Sequence, residues 1–192
     1  MKKQNVFLVA LAALCASAAN AASLDVSLPK GSAELSFDAV GKPSALRIRG
    51  TTSAVEGGLT GASGKLTGKF SADLATLDTG LRMRNEHMTK KYLETERFPR
   101  SELVILGIKK LPAGPIAAGD YDFEGELSLH GVKKPVRGLV HVTRATASEA
   151  LFEASFEVSL VDYGIATPSF AGITVANQVT INVKGKTALK TL

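Results

Sequence analysis

Apolar and polar residues alternate one by one along most of this chain, and a period of two predicts strands with one dry face and one wet face. Ala33, Leu35, Phe37 and Ala39 share one face, while Glu34, Ser36 and Asp38 share the other. Leu46 and Ile48 alternate with Arg47 and Arg49, and Leu66, Gly68, Phe70, Ala72 and Leu74 alternate with Lys65, Thr67, Lys69, Ser71 and Asp73. The pattern returns in Tyr121, Phe123, Gly125, Leu127 and Leu129, in Phe152, Ala154, Phe156 and Val158, and in Val179, Ile181 and Val183. Residues 103–108 are apolar on both faces, which predicts a strand covered on the outside as well. Eight or nine such strands joined by short turns predict an all-β fold, an antiparallel lipocalin-like β-barrel of about eight strands.

Two local signals refine that outline. Residues 125–140 read as a β-hairpin with a tight turn containing Gly131. The register inferred for it sets Glu124 opposite His141 and Ser128 opposite Arg137, giving cross-strand polar pairs on the outer face. Leu81, Met88 and Tyr92, with Met83 and His87, fall at helical spacing between Asp78-Thr79 and Phe98-Pro99. They predict one short amphipathic helix near a barrel mouth. An edge between the first and last strands is left for a second chain, so the oligomeric state, monomer or homodimer, stays open.

The first residues change the expected location. Met1-Lys2-Lys3, an apolar block from Val6 to Leu14 and the ending Ala19-Asn20-Ala21 have the form of a secretory signal peptide over residues 1–21. Removing it leaves residues 22–192 as a single domain without cysteine, since Cys15 goes with the leader. Two of the 23 basic residues lie in the leader, so 21 face 18 acidic ones and the net charge falls from +5 to +3. That mild charge, with no Trp and no basic run, gives no nucleic-acid groove. No later stretch is long and apolar enough to be a spanning helix, which allows at most transient contact with a membrane surface.

Reactive chemistry finds little support. The histidines His87, His130 and His141 lack the spacing and partners of a metal site. No Gly-x-Ser-x-Gly elbow occurs, and the glycines at 57–58 and 61–64 lack the Lys-Ser/Thr sequence of a phosphate loop. The expectation is therefore no catalytic residue, no metal and no enzyme. The inward face instead mixes large Phe side chains with small Ala39, Gly68, Ala72, Gly125, Gly138 and Ala154. Small residues aimed at the centre of a barrel predict room for one ligand, although Phe rings filling that space remain the alternative.

Four separated segments resemble the YceI-like family of exported polyisoprenoid-binding proteins. Residues 127–136 resemble its leucine strand, His-Gly-Val turn and Lys-Pro-Val return. Leu77-Asp78-Thr79-Gly80 with Arg84-Asn85-Glu86-His87-Met88 is similar to its helix signature, with Asn85 where an Asp is usual. Phe98-Pro99, Asp162-Tyr163-Gly164-Ile165 and the strand 179–183 complete the likeness, while Ser36-Phe37-Asp38-Ala39 lacks the His often found there.

The resemblance implies a periplasmic, non-enzymatic protein that holds an isoprenoid quinone or related polyprenyl lipid for transport, storage or sequestration. No other cofactor is required on that reading. The implied lining is Leu35, Phe37, Leu66, Phe70, Leu74, Phe123, Leu127, Leu129, Val140, Phe152, Phe156 and Val158, with Met83, Met88 and Tyr163 at the mouth. Arg82, Arg84 and His87 are the implied contacts to a polar head group. The competing expectation is a stress-related or inhibitor-type interaction module with a filled barrel, working through loops 109–115 and 167–170.

Overall fold

A computed structural model describes residues 23–42, 46–62, 65–112, 114–170 and 173–191. The expected signal peptide and its cleavage site lie outside the described residues. Eleven strands form one antiparallel sheet: β1 (Ser23–Leu28), β2 (Ala33–Lys42), β3 (Arg47–Thr52), β4 (Val55–Ala62), β5 (Lys65–Asp73), β6 (Arg100–Ile108), β7 (Gly119–Leu129), β8 (Val132–Ala145), β9 (Glu149–Ser159), β10 (Ser169–Phe170) and β11 (Ile173–Thr191).

Eight of these close a barrel in the order β1-β4-β5-β6-β7-β8-β9-β11, with β11 pairing back to β1. The long β11 makes closure possible. Its last residues pair with β1 from Leu24↔Thr191 to Ser27↔Ala188, and its earlier residues pair with β2 from Gly185↔Ala33 to Thr174↔Lys42. The first and last strands therefore satisfy each other, and the edge expected between them does not exist. β3 is the outer strand instead, paired to β2 along one side and touching Asp78 through the single bridge at Thr51.

The hairpin register differs from the expected one. His130 and Gly131 both adopt positive φ, 51° and 76°, forming a two-residue turn that pairs Leu129 with Val132. Glu124 consequently faces Arg137, Ser128 faces Lys133, and Asp120 faces His141. Residues 103–108 also depart from expectation. Leu103 and Ile105 face inward and Leu106 outward, where it is 61% exposed rather than covered, and a bulge between Ile105 and Gly107 brings Ile108 back to the inner face.

His130 acts as a clasp. Its Nδ1 lies 3.1 Å from the Tyr163 carbonyl oxygen, its Nε2 lies 3.4 Å from Glu94 Oε1, and its ring packs 4.6 Å from that of Phe98. One side chain thus joins the β7–β8 turn to the 3-10 turn Leu160–Tyr163 and to the segment before β6. We expect His130→Ala to cost about 1–2 kcal/mol in urea unfolding, because a buried acceptor loses its partner; an unchanged midpoint would contradict this role.

Candidate functional site

The inward faces of the strands do not meet at the centre. They enclose a cavity of about 640 Å³ whose wall is almost wholly aliphatic and aromatic. Phe123 and Phe156 pack edge to face, ring centroids 5.9 Å apart, and are buried in the core. Phe37, Phe70 and Phe152, by contrast, point inward yet stay partly accessible, so the surface they keep is cavity wall. The eleven residues of β7 extend about 36 Å, and a strand tilt of about 40° gives a barrel about 28 Å tall. Leu111 and Ile116, from the segment between β6 and β7, line one end.

A helix crosses the other end. α1 (Arg82–His87) continues into a π-helical turn over Met88–Tyr92. Its start is tied to the barrel by two backbone hydrogen bonds between Thr51 and Asp78, at 2.8 and 2.9 Å. Asp78 then receives hydrogen bonds from Gly80 N and Asn85 Nδ2, both 2.7 Å, while Asn85 Oδ1 accepts from the backbone N and hydroxyl of Thr79. Asn85, in the position where an Asp is usual, can donate to Asp78 through its amide as well as accept from Thr79. The far end of the segment is held at Tyr92, whose Oη accepts from Ser169 N at 3.3 Å.

The Asn85 amide, and then the Gly80 backbone N–H, hold the Asp78 carboxyl below its ordinary value of 3.8. A lowered folded-state pKa favours the anchored helix above the ordinary value and loses that contribution as pH falls through the lower folded midpoint. In an NMR titration the Asp78 midpoint should lie below 3.8 and rise in Asn85→Ala. A midpoint unmoved by that substitution would remove Asn85 from the lock.

The structure brings nearly all of the expected site residues together. Leu35, Phe37, Leu66, Phe70, Leu74, Phe123, Leu127, Leu129, Val140, Phe152, Phe156 and Val158 all line the cavity. Met83, Met88, Arg82, Arg84 and His87 line it from the helix. Tyr163 is the exception. It is 2% exposed, does not line the cavity, and packs in the core beneath the 3-10 turn, where burial raises its phenol pKa and Oη has no hydrogen-bond partner among the described residues.

The expected set missed Ile181 and Val183, whose alternation in the last strand carried the signal, and Leu103 and Ile105, obscured because residues 103–108 are apolar on both faces. It also missed the rim residues Leu46 and Leu81, which are accessible to water; periodicity placed them in a strand and a helix but did not report their position at the mouth. Charge is confined to one place. The charged or titratable side chains in the wall of the cavity, Arg82, Arg84 and His87, are on α1, with Tyr92 just beyond and Tyr121 at the far end donating to Ala117 O at 2.8 Å. The other histidines serve elsewhere, His130 in its clasp and His141 against Asp120 on the exterior, and no cluster able to hold a metal ion occurs among the described residues.

The YceI-like domain matches residues 28–187, most of the chain and the barrel apart from nearly all of β1 and the last residues of β11. The chain belongs to the YceI-like family. Several solved structures share its fold. A polyisoprenoid binding domain from Saccharophagus degradans, described as implicated in plant cell wall breakdown, is 18% identical with a TM-score of 0.66, covering 85% of this chain and 97% of that one. BcnA from Burkholderia cenocepacia has the same identity and TM-score over 85% and 99% of the two chains. The YCEI protein of Campylobacter jejuni is 11% identical, with a TM-score of 0.63 over 76% and 86%. Among curated proteins no relative matches this YceI-like chain. No helix among the described residues is long and apolar enough to cross a membrane.

Proposed function

We propose that this YceI-like protein is an exported, non-enzymatic carrier or sequestering protein for a polyisoprenoid lipid. The polyprenyl chain lies in the barrel, and its polar head, an isoprenoid quinone ring or a related group, meets Arg82, Arg84 and His87 at the helix. The observation that carries this reading is the distribution of chemistry along the cavity, hydrocarbon through the body and cationic side chains at one end. An isoprene unit has five carbons, so its burial contributes about 4 kcal/mol at about 0.8 kcal/mol per carbon before entropic costs. A chain of several units needs no charged anchor for affinity. The cavity also argues against the filled-barrel interaction module.

Binding rather than turnover is supported by the wall itself. Its serines Ser71, Ser101 and Ser169 have no His or carboxylate partner among the described residues, and Ser101 Oγ donates to the Ser128 carbonyl at 3.1 Å. The name of the Saccharophagus degradans domain supports the ligand class, and the leader-like residues 1–21 support export to the periplasm. Native mass spectrometry of gently purified protein tests the reading. We expect a retained polyprenyl lipid, or uptake when one is supplied; protein that stays empty under both conditions would overturn it.

A further inference from the structure

The rim of the cavity is unusual for a surface in contact with water alone. Leu46, Leu81 and Met83 are 40, 54 and 63% exposed, and all three also line the opening. The anchors at Asp78 and Tyr92 hold this segment in place across the opening. A lipid tail entering or leaving beneath α1 would cross these side chains first.

Charge surrounds the same rim. Residues 81–92 carry Arg82, Arg84, Lys90 and Lys91 against one acidic residue, Glu86, and Arg47 adjoins Leu46. None of Arg82, Arg84, Lys90 and Lys91 forms an ion pair among the described residues, while Glu94 is engaged by Arg97 and His130, and Asp78 by Asn85. Protruding apolar side chains beside cations that form no ion pair among the described residues, Lys91 lying over the Tyr92 ring, match the interface of an anionic bilayer, which offers phosphates outside and hydrocarbon within. A second copy of the chain fits poorly, because two such rims would meet cation to cation.

We propose that this end of the barrel docks on an anionic phospholipid bilayer, with Leu46, Leu81 and Met83 entering the interface and Arg47, Lys90 and Lys91 facing lipid phosphates. Docking opens the cavity toward the lipid phase and spares a polyprenyl tail from crossing water. It rests on the carrier reading for its purpose, yet is measured apart from ligand uptake.

The test uses the full chain with Cys15→Ser and one new cysteine bearing an environment-sensitive fluorophore. Met83→Cys places the label at the rim, and Ala147→Cys places it in the β8–β9 turn at the opposite end. Residues 1–22 are common to both proteins, so only the position of the label differs. With vesicles of phosphatidylglycerol and phosphatidylcholine, a blue shift is expected at 83 and not at 147, and it should disappear at roughly 1 M salt or with phosphatidylcholine alone. Lys90→Gln/Lys91→Gln should weaken binding about thirtyfold, at about 1 kcal/mol per cation near an anionic surface, and leave polyprenyl-lipid uptake from detergent unchanged.

No shift at 83, equal shifts at both positions, or an affinity indifferent to the Lys90/Lys91 substitutions would overturn docking. Rim insertion in a protein that takes up no polyprenyl lipid would leave docking standing and remove the carrier reading instead.

Discussion

Gly68→Ala, a substitution that adds one methyl group, is expected to lower the unfolding free energy by about 3 kcal/mol and Tm by roughly 6–12 °C. A Cβ at position 68 would run into the carbonyl oxygen of Gly58 and lie 2.8 Å from the Cα of Leu59. Both atoms are backbone of β4, held in register by the pairs Leu59↔Gly68 and Thr60↔Thr67, while β6 pairs with the other side at Gly68↔Ile105. No rotamer change relieves such a contact, so neighbouring strands would have to separate. Thermal and urea unfolding of the two proteins measure the effect, and a difference within 1 kcal/mol of zero would contradict the geometry. Gly125 and Gly138 obey the same rule, their added Cβ atoms meeting the carbonyl oxygens of Val104, at 2.5 Å, and Ser155.

That result bears on how the sequence is read. Glycines aimed inward suggested vacant space, and the cavity exists, but Gly68, Gly125 and Gly138 do not create it. They allow strands to approach and coil where any side chain would meet a neighbouring backbone. The space comes from the circumference of an eight-strand ring whose Phe70 and Phe152 side chains, with Phe37 from the adjoining β2, line the wall without spanning it. Period-two alternation therefore identified most of the strands and the expected part of the wall, though not β1 or its wall residues Val26 and Leu28, because it reports which face a side chain occupies. It reports nothing about distance across the barrel.

Register and closure were less legible for related reasons. Nothing local announced that His130 would adopt positive φ beside Gly131, so the hairpin partners of Glu124 and Ser128 were misassigned. Tyr163 belonged to a conspicuous sequence segment, yet its burial depends on the turn 160–163 being gripped from a distance. Val161 N donates to Asn177 Oδ1 at 2.9 Å, within the irregular stretch of β11 between Val175 and Val179. Long-range contacts of this kind leave no periodic trace. The helix was legible because its face repeats, but its role as a strap depends on Asp78 meeting β3 and Tyr92 meeting Ser169.

Ala154→Leu should behave in the opposite way to Gly68→Ala, although it adds more atoms. Ala154 lies on the inner face of β9 opposite Val140 and Val183, yet is only partly buried, and the surface it retains faces the cavity. Three further carbons would project into space that no protein atom occupies. The folded protein should then lose less than about 1 kcal/mol, or gain stability by filling the void. A bound chain would lose room for about one isoprene unit, worth about 4 kcal/mol before compensating entropy. Kd for a polyprenyl lipid should therefore rise at least about tenfold, and at most about a thousandfold. Titration with a fluorescent polyprenyl analogue, alongside urea unfolding of the same preparation, separates the two quantities. Unchanged affinity with intact stability would place the ligand outside the barrel, whereas lost affinity in a stable protein places its tail against β9.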